Sequence, residues 1–262
     1  MERANARTAV VWQVLRRELG RLTTSTPDAA LRVLDVGGGT GGFAVPLARA
    51  GHHVTVVDAS PDALAALTRR AAEAGVAGLI LAVQGDADLL GELAEPGSAD
   101  LVLCHSVLEV VDSPSDVASA LATTLRPGGA ASVLVANRAA AVLARAMNGQ
   151  FEVAAAALTD PDGRIPERLG GAEPASRDTL LRRFDVEAAT ALLTKAGLAV
   201  EEVHGVRVVA DLVPGGHARF PGAAQRGEER EQENLVAFEL AVAGRSPYRD
   251  IATQLHLLAR RA

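Results

Sequence analysis

The sequence has very few of the residues that build covalent or metal-held frameworks. A single cysteine, Cys104, excludes an intramolecular disulfide and any cysteine-built zinc site. The six histidines show no H-E-x-x-H or comparable spacing, so we expect no metal site. No apolar run approaches the roughly 20 residues that cross a bilayer, and the charged, amphipathic start differs from a signal peptide. We therefore expect a cytoplasmic protein without membrane contact.

Positive charge and aromatic side chains are also scarce. The formal net charge is −6, so no global field attracts the chain to a polyanion. Aromatic residues make up only 3% of the chain, and stacking on aromatics is the usual source of affinity for single-stranded nucleic acid. Any contact with nucleic acid must therefore come from a local basic patch.

Hydrophobic residues, by contrast, make up 48% of the 262 residues, enough for one large globular domain. Apolar segments of strand length alternate with segments of helical periodicity, which is typical of a parallel sheet with helices on both faces. The predicted strands are 32–36, 54–58, 79–84, 100–105, 131–136, 198–209 and 252–258. The predicted helices are one from residue 9 that ends near Gly20, 43–50, 61–74, 115–125, 186–196 and 232–243.

Two stretches interrupt this alternation. Residues 138–184 combine an Ala-rich helix with a Pro/Gly-rich loop that is too long for a simple connection, and residues 211–231 include a second such loop. We interpret residues 1–262 as one domain in which 138–184 form an inserted cap or substrate region. Five arginines flank the first loop and are candidates for a phosphate-binding strip, which acidic neighbours dilute: Arg164, Arg168, Arg177, Arg182 and Arg183.

A glycine-rich segment follows the first predicted strand. Gly37, Gly39 and Gly42 fit the pattern G-x-G-x-x-G, and Asp58 follows about 20 residues later, as in dinucleotide-binding folds. Such glycines let the backbone turn sharply and approach a ligand, and a carboxylate at the end of the second strand accepts hydrogen bonds from a ribose. Both NAD and S-adenosylmethionine present an adenosine to such a crevice, so this motif alone does not distinguish them.

Three further features favour S-adenosylmethionine. Asp35 stands two residues before the first glycine, and a carboxylate there suits an ammonium and a sulfonium better than a pyrophosphate. Asp86 and Ala87 follow the third strand, in place to hold an adenine. The segments ADLVLCHSVLEVV and LRPGG bracket the fourth strand and its helix. From Arg32 to Val135 the chain resembles the class I S-adenosylmethionine-dependent methyltransferases, which implies a seven-stranded, mostly parallel Rossmann-like sheet.

Other segments resemble a narrower family, the bacterial tRNA 5-carboxymethoxyuridine methyltransferases. They are RTAVVWQVL at 7–15, LRVLDVGGG at 31–39, HSVLEVV at 105–111, GVRV at 205–208 and SPYRDIATQLHLLAR at 246–260. This resemblance implies that the N-terminal helix within residues 1–22 lies over the cofactor site, and that a carboxylate on a wobble uridine receives the methyl group. With Asp35, the cofactor-binding residues that it implies are Arg7, Gly37, Gly38, Gly39, Asp58, Ala59, Asp86, Ala87 and His105.

Few polar residues are left as candidates for the methyl-transfer step. His105 ends the fourth strand, where ligands bind in open α/β sheets, and it is the candidate catalytic residue. A carboxylate acceptor with a pKa near 4 is already ionised at neutral pH, so its methylation needs no general base. It does call for a group that holds the carboxylate, and Arg177, Arg207 and Tyr248 are the candidates. Arg207 also alternates with apolar neighbours, as on a solvated strand face.

Three functions are compatible with these residues. The first is methylation of a modified tRNA base, although HSVLEV lacks the aromatic of the family's HxVLEW segment. The second is methylation of a small-molecule carboxylate, hydroxyl or amine. The third is a module that binds S-adenosylmethionine or a dinucleotide without catalysis. An open, positive groove lined by Arg164, Arg177 and Arg182 favours the first, and Ala-rich helices closing over the site favour the second.

Overall fold

The computed structural model describes residues 5–24, 30–165, 180–213 and 225–262, whose strands form one seven-stranded sheet. The order across the sheet is β3-β2-β1-β4-β5-β7-β6. The pairs β1–β2, β1–β4, β2–β3 and β4–β5 are all parallel. The predicted, mostly parallel Rossmann-like sheet is therefore confirmed. In chain order the strands are β1 (Arg32–Val36), β2 (His53–Asp58), β3 (Ile80–Gln84), β4 (Ala99–His105), β5 (Leu125–Ala136), β6 (Leu198–Val206) and β7 (Gln254–Arg261).

The helices alternate with these strands as the sequence predicts. Four predicted helices are confirmed to within two residues at each end. The first continues to Thr24 rather than ending near Gly20, and the last begins at Gln225 rather than near residue 232. The Ala-rich part of the insertion holds two helices, α6 and α7, instead of one. The helices are α1 (Ala9–Thr24), α2 (Ala44–Arg49), α3 (Pro61–Glu73), α4 (Leu90–Leu93), α5 (Pro114–Thr124), α6 (Arg138–Met147), α7 (Phe151–Thr159), α8 (Val186–Lys195) and α9 (Gln225–Val242).

Helix α3 shows why the sequence predicts these boundaries well. The Ser60 side chain accepts a hydrogen bond from the N–H of Ala63 at 3.2 Å, and Pro61 occupies the first helical position, where no N–H is needed. Gly75 has a φ of +70°, the left-handed conformation that commonly ends a helix. The direction in which β2 leads into α3 is thereby fixed.

Three strands differ from the prediction, and one of them, β7, begins at Gln254 and ends at Arg261 rather than spanning 252–258. We expected RPGG (126–129) to separate a helix from a strand beginning at residue 131, but β5 begins at Leu125 and includes all four residues. The register shifts within this segment, because Ala99 pairs with Leu125 while Leu101 pairs with Ala130. Strand β6 ends at Val206 rather than at residue 209, because the backbone of Arg207 turns to a φ of +61°.

The chain divides into two compact units, each assembled from separate stretches. The first unit contains the described residues of 1–16, 136–187 and 203–256, and the second contains those of 17–135, 188–202 and 257–262. In the second unit, consecutive residues of β1 and β4 are buried, as expected for strands covered on both faces. Each fully buried leucine there, such as Leu101 and Leu103, stabilises the fold by about 1.5–3 kcal/mol.

The described residues contain neither a membrane-spanning helix nor a cluster of metal-ligating side chains. None of the helices there is long and apolar enough to cross a bilayer. In the same part of the chain, no three histidine, cysteine, aspartate or glutamate side chains are grouped so that they could hold a metal ion.

Candidate cofactor site

The glycine loop of the second unit leaves no room for side chains at its first two positions. Gly37 has a φ of +68°, and a Cβ there would lie 2.4 Å from Cγ2 of Val107. A Cβ on Gly38 would lie 2.7 Å from Oδ2 of Asp35. The loop is also tied to α3, because Arg70 donates a hydrogen bond to the carbonyl oxygen of Thr40 at 2.7 Å. Backbone rather than side chains therefore forms the surface next to β1.

Asp58 ends β2 with its carboxylate directed at this loop. Its Oδ2 accepts the N–H of Gly39 at 2.8 Å, and its Oδ1 accepts the N–H of Ser60 at 2.9 Å. A carboxylate offers about four acceptor positions, so two bonds leave capacity for a ligand. The half-buried side chain thus has the position predicted for an acceptor of ribose hydroxyls, and Ala59 beside it is exposed.

Asp35 lies beneath the loop and is almost completely buried, with 2% of its surface exposed. Its Oδ2 has no hydrogen-bond partner within the described part of the chain. Burial, with a smaller contribution from the negative charge of Asp58, raises the pKa of Asp35 to about 7. Burial, followed by the charges of Glu109 and Asp35, also raises the pKa of the Cys104 thiol. A positively charged ligand above the loop would compensate this buried acid.

Asp86 and Ala87 begin a short turn directly after β3. The Asp86 carboxylate accepts the N–H of Asp88 at 3.0 Å, which caps that turn. Asp88 in turn accepts the N–H groups of Asp112 and Ser113 at 3.0 and 3.1 Å. The predicted adenine segment is therefore anchored to the chain that follows HSVLEVV. We did not predict the role of Asp88, although the D-x-D spacing of QGDAD indicates such a turn.

His105 ends β4 in a tightly packed environment. Its Nε2 lies 2.9 Å from the Ser132 hydroxyl, and its ring meets Phe43 edge to face with centroids 4.6 Å apart. Burial lowers the pKa of His105 to about 4, so the ring is neutral at pH 7 and a weak base. Neither Phe43 nor Ser132 was predicted. The sequence position of Phe43, directly after the glycine loop, could have indicated that it lies near the site.

The remaining predicted residues belong to the first unit or lie outside the described residues. Arg7 pairs with Asp211 at 3.4 Å, and Arg207 pairs with the same aspartate at 2.5 Å. Tyr248 is 47% exposed, next to the turn Arg249–Ile251. Arg177 lies outside the described residues.

The arginines near the insertion do not form the exposed strip that we expected. Arg182 and Arg183 are buried, with only 8% and 6% of their surface exposed. Arg183 donates hydrogen bonds to the carbonyl oxygens of Leu180 and Arg182, at 3.4 and 3.0 Å. Arg164 is exposed and pairs with Asp162 at 3.8 Å, and Arg168 lies outside the described residues. The expectation was therefore wrong for Arg182 and Arg183, because both are buried and Arg183 turns inward to backbone acceptors.

The second unit brings most of the predicted cofactor residues to one edge of the sheet. The glycine loop, Asp58, Asp86 and His105 follow or end the adjacent strands β1, β2, β3 and β4. Ligands bind at this carboxyl edge in open α/β sheets. A backbone cradle, a ribose acceptor and a buried acid with an unsatisfied oxygen match a cationic nucleoside such as S-adenosylmethionine better than a dinucleotide with its pyrophosphate.

Comparisons with known proteins agree with this geometry. A family profile described as methyltransferase domain matches residues 34–133, which contain the whole edge described above. The chain is 28% identical over 257 residues to a tRNA 5-carboxymethoxyuridine methyltransferase of Escherichia coli K12, covering 97% of this chain and 88% of that protein. It is 31% identical over 189 residues to a ubiquinone biosynthesis O-methyltransferase of Xylella fastidiosa 9a5c, covering 72% of this chain and 69% of that one.

A solved structure shows the same fold. The crystal structure of magnesium protoporphyrin IX methyltransferase from Synechocystis PCC 6803 with bound SAH matches with a TM-score of 0.58 at 15% identity, covering 98% of this chain and 86% of that one. Of the two cofactors that the glycine motif left open, the matches to methyltransferases select S-adenosylmethionine. They also decide against a non-catalytic module. The chain belongs to the S-adenosylmethionine-dependent methyltransferases.

Proposed function

We propose that this methyltransferase forms a methyl ester on the carboxylate of a modified wobble uridine in tRNA. The environment of His105 is the observation that carries the proposal. A histidine whose pKa is lowered to about 4 is a poor base for a hydroxyl or ammonium acceptor, since proton transfer is most effective when the pKa of the base is near the working pH. A carboxylate acceptor is already ionised at neutral pH and needs no base.

The extent of the sequence match supports the same acceptor. The tRNA 5-carboxymethoxyuridine methyltransferase of Escherichia coli matches 97% of this chain, so the likeness continues well beyond the methyltransferase domain at 34–133. Function resides in sites added to a shared fold rather than in the fold itself. A match outside the core therefore bears on the acceptor.

We assign the cofactor-binding roles that the family resemblance implies. Gly37, Gly38 and Gly39 admit the nucleoside to the backbone, Asp58 accepts the ribose hydroxyls, and Asp86 with Ala87 holds the adenine. Asp35 balances the positive charge of the cofactor, and Arg7 binds its carboxylate. When bound, S-adenosylmethionine supplies an electrophilic methyl group. The chain's contribution to the rate is alignment, since holding reacting atoms about 3–3.5 Å apart removes several kcal/mol from a barrier. His105 then packs beside the reacting groups without accepting a proton.

A small-molecule acceptor is the second candidate. The ubiquinone biosynthesis O-methyltransferase of Xylella fastidiosa is 31% identical over 72% of this chain, and the burial of Arg182 and Arg183 removes two cations from the predicted phosphate strip. In either case residues 138–184 serve as the cap or substrate region, and the helix within 1–22 covers the cofactor.

The lability of the product separates the two candidates. The full chain is incubated with S-adenosylmethionine labelled in the methyl group and either tRNA rich in 5-carboxymethoxyuridine or a metabolite extract. A methyl ester releases its label as volatile methanol in mild alkali, whereas a methyl ether or methylamine retains it. We expect alkali-labile label in the tRNA. Alkali-stable label in the extract, with unlabelled tRNA, would contradict the proposal and favour the second candidate.

A further inference from the structure

An arginine in the first unit has a backbone conformation that arginine rarely adopts. Arg207 follows the last residue of β6 with a φ of +61°. Its carbonyl oxygen accepts the N–H of Thr253 at 3.3 Å, and the Thr253 hydroxyl lies 3.1 Å from the same oxygen. A left-handed residue that is not glycine is unfavourable and persists only where its surroundings enforce it. The surrounding fold therefore fixes the backbone conformation of Arg207.

A buried carboxylate on α9 enforces this turn from the other side. The Glu239 side chain has no exposed surface, and it accepts the N–H groups of Val208, Val209 and Ala210 at 2.9, 2.9 and 2.8 Å. Three backbone donors compensate the burial of one charge. Thr253 and Glu239 together thus fix the peptide group between Arg207 and Val208, and Glu239 fixes the two that follow it.

The guanidinium of Arg207 shares one carboxylate with a second arginine. Oδ2 of Asp211 lies 2.5 Å from Nη2 of Arg207, and Oδ1 lies 3.4 Å from Nη2 of Arg7. Nε of Arg207 is buried and has no hydrogen-bond partner within the described residues. One donor of the Arg207 fork, the Nε–H, is therefore unused. A carboxylate with two oxygens could bind both donors of that fork, which Asp211 does not do.

From this arrangement we propose that Arg207 is the binding site for the acceptor carboxylate, and that Asp211 occupies its place until the acceptor arrives. An incoming carboxylate replaces Asp211 on Arg207 and engages Nε and Nη2 together, the bidentate geometry that guanidinium groups favour. The Asp211 side chain is 22% exposed and lies four residues along the chain from Arg207, so it can turn to solvent. The identity of the acceptor rests on the proposed function, but the carboxylate site does not.

The test uses phenoxyacetate, which carries the aryloxyacetate group expected of the acceptor. The full chain is labelled with 15N-arginine, and the Nε–H signals are recorded during titration with phenoxyacetate and with its uncharged methyl ester. Arg207→Lys assigns the signal of Arg207. We expect phenoxyacetate to move that signal downfield and the ester to leave it unchanged, because Nε gains a charged acceptor only from the free acid. A signal that ignores phenoxyacetate, or responds equally to the ester, overturns the proposal.

Three variants measure the affinity of the site. Arg207→Lys should weaken phenoxyacetate binding about tenfold or more, because a bidentate pair becomes a single contact. Asp211→Asn should strengthen binding severalfold, because the internal competitor loses its charge. Arg164→Lys is the matched control, an exposed arginine of the same unit paired with an aspartate, and should have no effect. Equal affinity in all three variants contradicts the proposal.

The outcome stays separate from that of the tRNA assay. If phenoxyacetate binds at Arg207 but tRNA is not methylated, the carboxylate site is supported and the proposal that tRNA is the acceptor is rejected. If tRNA is methylated with unchanged KM in Arg207→Lys, the methyltransferase activity stands and the assignment of Arg207 falls.

Discussion

Replacing Asp35 with asparagine should change how the stability of the protein depends on pH. The pKa of this buried acid rises from 3.8 to about 7 in the folded chain. Between those values the folded chain keeps a proton that the unfolded chain has lost, so the free energy of unfolding falls by about 1.4 kcal/mol per pH unit. This decline ends above about pH 7, where both states are ionised.

The size of the effect is measurable by urea unfolding or by thermal melting. Raising the pH from about 5.5 to 8 should cost the unaltered protein about 2 kcal/mol that Asp35→Asn does not lose. For a chain of this length that corresponds to a relative Tm shift of about 4–8 °C. Comparing slopes rather than absolute stabilities cancels the separate cost, about 1–3 kcal/mol, of burying an amide with an unsatisfied donor. Asp116→Asn, at an exposed aspartate, serves as the control.

The same substitution should remove a pH dependence from cofactor binding. A cationic ligand favours the ionised form of Asp35, so the Kd for S-adenosylmethionine should fall as the pH rises through about 7, with proton release measurable by calorimetry in two buffers. Each unit by which the ligand lowers the pKa of Asp35 corresponds to about tenfold in affinity. Parallel pH profiles for the unaltered protein and Asp35→Asn, in stability and in Kd, would refute this assignment of the buried acid.

Three other substitutions test the cofactor site and the role of the histidine. Gly37→Ala should weaken S-adenosylmethionine binding at least tenfold by calorimetry, because its Cβ would meet Val107 at 2.4 Å. The control Gly42→Ala, whose Cβ has nothing within 4 Å, should bind normally, and equal losses of affinity in both variants would contradict a specific cradle. Asp58→Asn should weaken the binding free energy of S-adenosylmethionine by about 1–3 kcal/mol, since a charged acceptor becomes neutral. An unchanged Kd would remove Asp58 from the ribose site. We expect a kcat that does not change between about pH 6 and 8 on a carboxylate acceptor, both in the unaltered enzyme and in His105→Gln, because a ring with a pKa of about 4 does not titrate there. If kcat followed a group with a pKa near 7 in the unaltered enzyme but not in His105→Gln, His105 would be a general base.

The parts of the fold that the sequence predicts well are those set by local interactions. Ser60 and Pro61 mark the start of α3 because a side-chain cap and a missing N–H act within one turn. The glycine loop is equally predictable from the sequence, because φ values such as +68° at Gly37 are accessible mainly to glycine. The parallel sheet with helices on both faces followed from the alternation of apolar strand segments with segments of helical periodicity.

The wrong predictions concern residues whose conformation depends on distant partners. RPGG looks like a helix stop, yet Leu125 pairs with Ala99 on a neighbouring strand, which no local pattern reveals. Arg182 and Arg183 appeared as surface cations, yet both are buried in the folded chain, which offers Arg183 carbonyl acceptors. The left-handed turn at Arg207 is likewise held by Glu239 through contacts some 30 residues away in sequence.

The buried thiol of Cys104 makes the enzyme convenient for spectroscopy. Thiolates, not thiols, attack maleimides, and this one is shielded from solvent and held protonated by the acids around it. A cysteine introduced at an exposed position will thus be the one group that reacts under native conditions. Fluorescent or spin probes can then report the arrival of cofactor and acceptor with no need to replace a residue packed in the central sheet.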